Sequence, residues 1–319
     1  MPVISVDGVR RDFTVRVKAG RWRRTRRVVT AVSDLSFSVE PGEMVGYIGP
    51  NGAGKSTTIK MLTGILVPTA GRLQVAGLDP SRQRTELARR IGVVFGQRTT
   101  LWWDLPLRDS FELLQRIYRI PAERYRRNLA TFVDLLALGP LLDSPVRQLS
   151  LGQRMRGDIA AALLHDPEVV YLDEPTIGLD VVSKSQLRDF LRETNAERAV
   201  TVLLTTHDLV DIERLCTRVM VIDHGSLVFD GALDSLSGLA GARRTLVVDL
   251  PDAAAPIELA GADTVKVVGP RQWLTFPAEA SAAPLIAELS ARHRVADLSI
   301  LEPNIEDVIT RIYSGRLRP

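Results

Sequence analysis

The stretch 49-GPNGAGKST-57 decides the fold. A short apolar run, 44-MVGYI-48, precedes it and is bounded by glycines, so it reads as a buried strand. A helix-capable run, 56-STTIKMLTG-64, follows. The glycines Gly49, Gly52 and Gly54, interleaved with Pro50, Asn51 and Ala53, let backbone N–H groups wrap a phosphate chain, and the helix N-terminus adds a positive dipole end. In the pattern Gly49-x4-Gly54-Lys55-Ser56, Lys55 would reach the outer phosphates. The Ser56 hydroxyl, ahead of Thr57, would bind Mg²⁺. A plain glycine-rich turn is the bland alternative, and the strand and helix around it weigh against that.

Working outward, 35-LSFSV-39 alternates and predicts a half-buried strand that Pro41-Gly42 ends. The runs 169-VVYLD-173, 200-VTVLLTT-206 and 219-VMVID-223 are almost continuously apolar, as in parallel strands buried on both faces. Between them, Leu107, Phe111, Leu114 and Tyr118 share one helical face, and Tyr125, Leu129, Phe132 and Leu136 share another, with a break near Pro121. After 238-GLAG-241 the composition shifts. Strands at Thr245–Leu250, Thr264–Val268 and Trp273–Phe276 and a helix near Ala283–Ala291 predict a small α+β appendage over 243–319, beside a main domain over 1–238.

The run 169-VVYLDE-174 ends in two carboxylates. Beside a phosphate loop, Asp173 would hold Mg²⁺ through its shell and Glu174 would orient and activate the attacking water. His207 follows the third strand and becomes a candidate phosphate contact, although a lone histidine is ordinarily a strand-end or core residue.

Apolar residues make up 45% of the 319 and charged residues 25%, with a formal charge of +3, so composition makes no case for nucleic acid. The one cysteine, Cys216, fits a reducing compartment and reads as a small core residue. No apolar run approaches the roughly 20 residues that cross a bilayer. Asp7, Arg10, Arg11 and Asp12 stand where a signal peptide would be apolar, so a soluble, unexported chain is expected.

The segment 149-LSLGQ-153, followed by 169-VVYLDEPTIGLD-180, resembles the ATP-binding subunits of ATP-binding cassette (ABC) transporters over about residues 1–235. The resemblance implies a P-loop NTPase cassette: a RecA-like sheet core, an antiparallel β subdomain and a helical subdomain at about 98–160. It implies ATP and Mg²⁺ as cofactors. Gln97 would link Mg²⁺ and the attacking water to the membrane partner. Ser150, Gly152 and Gln153 belong to the signature that caps the γ-phosphate of an opposite cassette. Asp180 lies in the loop coupling the two sites, and His207 is the switch histidine. Leu151 stands where the family usually has glycine. For adenine stacking, Phe13 sits at the matching place and Trp22 is the rival; stacking adds roughly 0.5–1.5 kcal/mol beyond burial.

The runs 91-IGVVFGQRTTLWWDLP-106 and 148-QLSLGQRMRGDIAAALLHDPEVVYLDEPTIGLDVV-182 narrow the resemblance to bacterial viologen-exporter-like and daunorubicin-exporter-like ATP-binding subunits, as does the tail 301-LEPNIEDVITRIYSG-315. That group implies a second cassette, expected to be a copy of this chain, separate integral membrane permease subunits, and a place on the cytoplasmic face of the cell membrane. A soluble cassette ATPase acting on ribosomes or nucleic acid is the alternative.

Trp102 and Trp103 follow Gln97 closely. Adjacent side chains point apart, so one is expected in the helical part and the other as an anchor for the permease, unless a bend at Pro106 buries both. Residues 10–27 carry Arg10, Arg11, Arg16, Lys18, Arg21, Arg23, Arg24, Arg26 and Arg27 against Asp12 alone. They form either a solvated loop or a contact with an anionic membrane surface at roughly 1 kcal/mol per basic residue; no nucleic acid is expected.

Overall fold

The computed structural model describes residues 1–18, 24–96, 98–237 and 243–301. The chain divides into two compact units, Met1–Asp230 and Gly231–Pro319.

In chain order the first unit holds β1 (Ile4–Lys18), β2 (Arg24–Val39), β3 (Met44–Ile48), α1 (Lys55–Leu62), β4 (Ala70–Val75), the short α2 (Arg84–Leu87) and β5 (Ile91–Phe95). There follow α3 (Leu107–Tyr118), α4 (Ala122–Leu135), α5 (Leu151–Leu163), β6 (Val169–Asp173), α6 (Val181–Arg198), β7 (Thr201–Thr205), α7 (Leu209–Leu215), β8 (Arg218–Asp223) and β9 (Ser226–Ala232). The central sheet has the order β5-β6-β7-β3-β8-β9, and the pairs from β5 to β8 are parallel. Every residue of β3 and β7 is buried, which explains their unbroken apolarity. Because these strands run the same way, the segments leaving β3, β6 and β7 emerge at one sheet edge, where ligands of open α/β sheets bind.

A second sheet, β2-β1-β4, is antiparallel. It corrects the view of residues 10–27 as a loop, because β1 pairs with β2 out to Lys18 and Arg24. Pairing of β1 with β4 stops at Arg10 and Ala70. Beyond that point β1 and β2 continue as a two-stranded ribbon. It carries exposed Arg16, Arg26 and Arg27 beside exposed Val15, Val28 and Val29. Cross-strand pairing and β-branched valines favour the ladder over a loop. Phe13 pairs with Val29 of β2 within this ribbon. Trp22 lies outside the described residues.

The helices α3 and α4 bury Leu107, Phe111 and Leu114, and Tyr125 and Phe132. Arg119 ends α3 in a left-handed conformation, φ 54°, and Pro121 precedes α4. Both tryptophans between β5 and α3 reach the surface, Trp102 at 36% and Trp103 at 49% exposure. This corrects the expectation that one of them packs inward. Leu101 takes the inward position, 5% exposed, and the Arg154 guanidinium lies over the Trp103 ring at 5.2 Å.

The second unit holds α8 (Leu233–Ser237), β10 (Arg243–Asp249), β11 (Asp263–Val268), β12 (Arg271–Pro277), α9 (Ala282–Arg292) and β13 (Asp297–Leu301). Its sheet, β11-β12-β10-β13, is antiparallel throughout. Leu246, Val248, Leu274 and Phe276 on the sheet and Leu285 and Leu289 on α9 share one core. Residues 302–319 of the tail lie outside the described residues.

Candidate active site

The loop from Gly49 to Thr57 turns from β3 into α1. Two of its glycines are sterically required. A Cβ on Gly54, which has φ 109°, would stand 2.6 Å from the Ala31 carbonyl oxygen, and one on Gly49 would collide with the Ile222 carbonyl. Lys55 folds back over the loop: its Nζ donates to the Gly49 carbonyl at 2.5 Å and the Pro50 carbonyl at 3.2 Å. Half-buried, its ammonium has a pKa held below the ordinary lysine value by desolvation, against the pull of Glu174 and Asp173. A cleft of about 490 Å³ opens here, lined by Pro50, Asn51, Gly52, Gly54, Lys55, Ser56 and Thr57 on one side and by Asp173 and Glu174 on the other. Ala53 lies beneath it, buried, its carbonyl accepting from Gly225 N–H at 2.9 Å.

Asp173 closes β6 opposite Thr205 of β7, and the Thr205 hydroxyl donates to its carboxylate. Glu174 follows in a left-handed conformation, φ 56°, with its N–H donating to the Thr205 carbonyl at 2.8 Å. That turn swings the Glu174 carboxylate to 2.7 Å from Nδ1 of His207. The histidine is 75% exposed at the mouth of the site. Residues distant in sequence thus meet: a phosphate-loop ammonium, two carboxylates and an imidazole.

The other candidates stand apart from this cleft. Ser150 caps α5, its hydroxyl accepting from Gln153 N–H at 3.2 Å while the Gln153 side chain accepts from Ser150 N–H at 2.9 Å. Gly152 and Leu151 lie against Leu179 and Gly178, so the unexpected leucine has a seat on the Gly178 backbone. Asp180 caps α6, accepting from the N–H and hydroxyl of Ser183, which hold its carboxyl below the usual range. Phe13 does not line the cleft; Arg11 lies over its ring at 4.7 Å. Ala31, two residues along β2 from Phe13's partner Val29, does line it. Gln97 lies outside the described residues.

Comparison with known proteins gives the family and the fold. The ABC transporter family matches residues 32–177. The Nod factor export ATP-binding protein I of Paraburkholderia xenovorans (strain LB400) is 36% identical over 90% of this chain and 93% of its own length. The chain belongs to the ABC transporter family. The daunorubicin resistance ATP-binding protein DrrA3 of Streptomyces coeruleorubidus is 34% identical over 88% of this chain and 90% of its own. A solved dimeric ATP-binding cassette in a post-hydrolysis state, bound to ADP and Pi, superposes with a TM-score of 0.62 at 26% identity, covering 72% of this chain and 98% of that one. This is an ATP-binding ABC ATPase subunit of the daunorubicin-exporter-like group, built on the P-loop NTPase cassette fold.

The donor set of this ABC ATPase fits Mg²⁺. Among the described residues no cluster of three His, Cys, Asp or Glu side chains could hold a metal unaided. The cleft offers the hydroxyls of Ser56 and Thr57 and the carboxylates of Asp173 and Glu174, and of these Ser56 and Asp173 are the pair suited to Mg²⁺. Mg²⁺ is commonly held that way, with substrate phosphates and water completing the shell. Lys60 and Arg98 also line the cleft and add positive charge. Sequence reasoning missed both, along with Thr205, whose contact with Asp173 depends on β6 and β7 being neighbours. No helix among the described residues is long and apolar enough to cross a membrane.

Proposed function

We propose that this chain is one cassette of a two-cassette exporter ATPase whose membrane subunits are separate chains. The observation that carries the reading is the Glu174–His207 contact of 2.7 Å at the rim of the phosphate-loop cleft. Backbone N–H groups of residues 49–57 and the Lys55 ammonium bind the phosphates. Ser56 and Gln97, with Asp173 acting through the water shell, would hold Mg²⁺, which when bound would neutralise charge on the phosphate oxygens. Glu174 accepts the proton of the attacking water and His207 contacts the γ-phosphate. Ser150, Gly152 and Gln153, outside the cleft of their own chain, complete the site of a second copy, and Asp180 couples the two.

Phe13 stacks on adenine with the ring face opposite Arg11. Trp102 and Trp103 anchor the permease, and the basic ribbon of β1 and β2 rests on an anionic membrane surface, placing the subunit on the cytoplasmic face. Residues 1–238 act as the cassette and 243–319 as an appendage to it.

The relatives named for export systems support this reading, and Glu174→Gln tests it. With ATP and Mg²⁺ the variant should lose turnover and elute as a stable nucleotide-loaded dimer on size exclusion. Normal turnover would remove Glu174 from the role of base. Pull-down of the tagged chain from native membranes should recover multi-spanning proteins lacking a cassette.

A further inference from the structure

Asp211, on α7, is fully buried, and both of its carboxylate oxygens are engaged. Oδ1 accepts from Arg188 of α6, from Nε at 2.7 Å and Nη2 at 2.6 Å. Oδ2 accepts from the hydroxyl of Thr176 at 2.6 Å and that of Thr206 at 3.2 Å. The Thr206 oxygen in turn accepts from the N–H of Asp208 at 2.9 Å. Both threonines are buried.

These partners bracket the site. Thr176 stands two residues after Glu174, and Thr206 and Asp208 flank His207. One carboxylate therefore ties the loop that carries Glu174 to the turn that carries His207. The exposed imidazole has little packing of its own to hold it, so its neighbours set its place. A buried ion pair is weak evidence for stability, since well-packed apolar groups often replace one at no loss. Hydroxyl-to-carboxylate bonds are directional and constrain what apolar contacts do not.

We propose that Asp211 is a positioning residue, which through Thr176 and Thr206 sets the relative placement of Glu174 and His207. The inference rests on the reading of that pair as the hydrolytic machinery.

The test is steady-state ATP hydrolysis with Mg²⁺ by the purified full chain, together with its melting temperature. Thr176→Val removes one hydroxyl and leaves the Arg188–Asp211 pair. It should lower kcat about tenfold, the rate equivalent of one net hydrogen bond, with KM for ATP within about twofold of the parent. Thr176→Ser, which keeps the hydroxyl, should restore kcat. Asp211→Asn should lower kcat in the same way. If it fails to fold, the threonine pair of variants still decides the matter.

Parental kcat in Thr176→Val would overturn the proposal. So would a serine variant as slow as valine with a matching loss of melting temperature, since that assigns Thr176 to packing. Glu174→Gln run in parallel separates the two levels. If it is dead while Thr176→Val is normal, only the positioning inference falls. If it turns over like the parent, the reading beneath falls too.

Discussion

Replacing Glu174 by glycine should leave a more stable protein than replacing it by alanine, although both variants lose hydrolysis. Glu174 adopts φ 56°, held by its N–H bond to Thr205 and by Ile177 N–H donating to its carbonyl at 3.3 Å. A residue with a Cβ is strained there by about 1–2 kcal/mol. Alanine keeps that strain and glycine removes it. Glycine's larger conformational entropy in the unfolded chain gives back about 0.5–1 kcal/mol, which at the midpoints of the two ranges leaves about 0.75 kcal/mol in its favour. The lost carboxylate is common to both variants and its histidine partner is solvent-screened, so it does not enter the difference. Equilibrium urea unfolding measures this. A Trp273→Phe background leaves only tryptophans of the first unit to report. With a slope of about 2 kcal/mol per molar, the glycine midpoint should lie about 0.4 M above that of alanine. An alanine midpoint equal to or above that of glycine would refute the claim that the fold holds this carboxylate in a disfavoured geometry.

Three further outcomes are expected. His165 is buried, donates from Nε2 to the Ile91 carbonyl at 3.0 Å and stacks on Tyr118, and burial pushes its pKa down from 6.5 to about 4. Below pH 6.5 the unfolded chain takes up a proton that the folded one refuses, so this residue should remove about 3 kcal/mol of stability as pH falls to about 4. A pH series of urea midpoints in His165→Phe should be flatter by that amount, and an unchanged series would contradict the linkage. Gly178→Ala should destabilise by about 1–3 kcal/mol, because φ is +73° and the new Cβ would collide with Leu151. Adding Leu151→Gly should recover part of that loss in the same melt, and no recovery would rule out the clash. Trp103→Ala should uncouple transport in vesicles holding the whole transporter while basal ATP hydrolysis stays near the parental rate. Equal loss of both would mean that the ring serves the fold of this chain instead.

The loop from Gly49 to Thr57, with a strand before it and a helix after it, was legible because binding a phosphate chain needs contiguous residues of fixed type. The buried strands were legible for a related reason: burial on both faces demands an unbroken apolar run, as in 169-VVYLD-173. The strand Asp297–Leu301 escaped notice, since five residues with two apolar ones facing the core carry too little pattern. The basic ribbon escaped too, because its run of charges read as solvation and masked the pairing of β1 with β2. The tryptophan expected to pack inward was misplaced because Leu101 takes that position, which local alternation does not reveal.

By itself the sequence determined the class of fold, the nucleotide loop and the inventory of carboxylates and imidazole that could act on a phosphate. Only the tertiary structure decided which of them meet. Glu174 reaches His207, Thr205 reaches Asp173, and Asp211 gathers Thr176, Thr206 and Arg188 because β6 and β7 lie side by side with α6 and α7 behind their ends. Strand order is set by burial summed over the whole sheet, and no single segment encodes its neighbour.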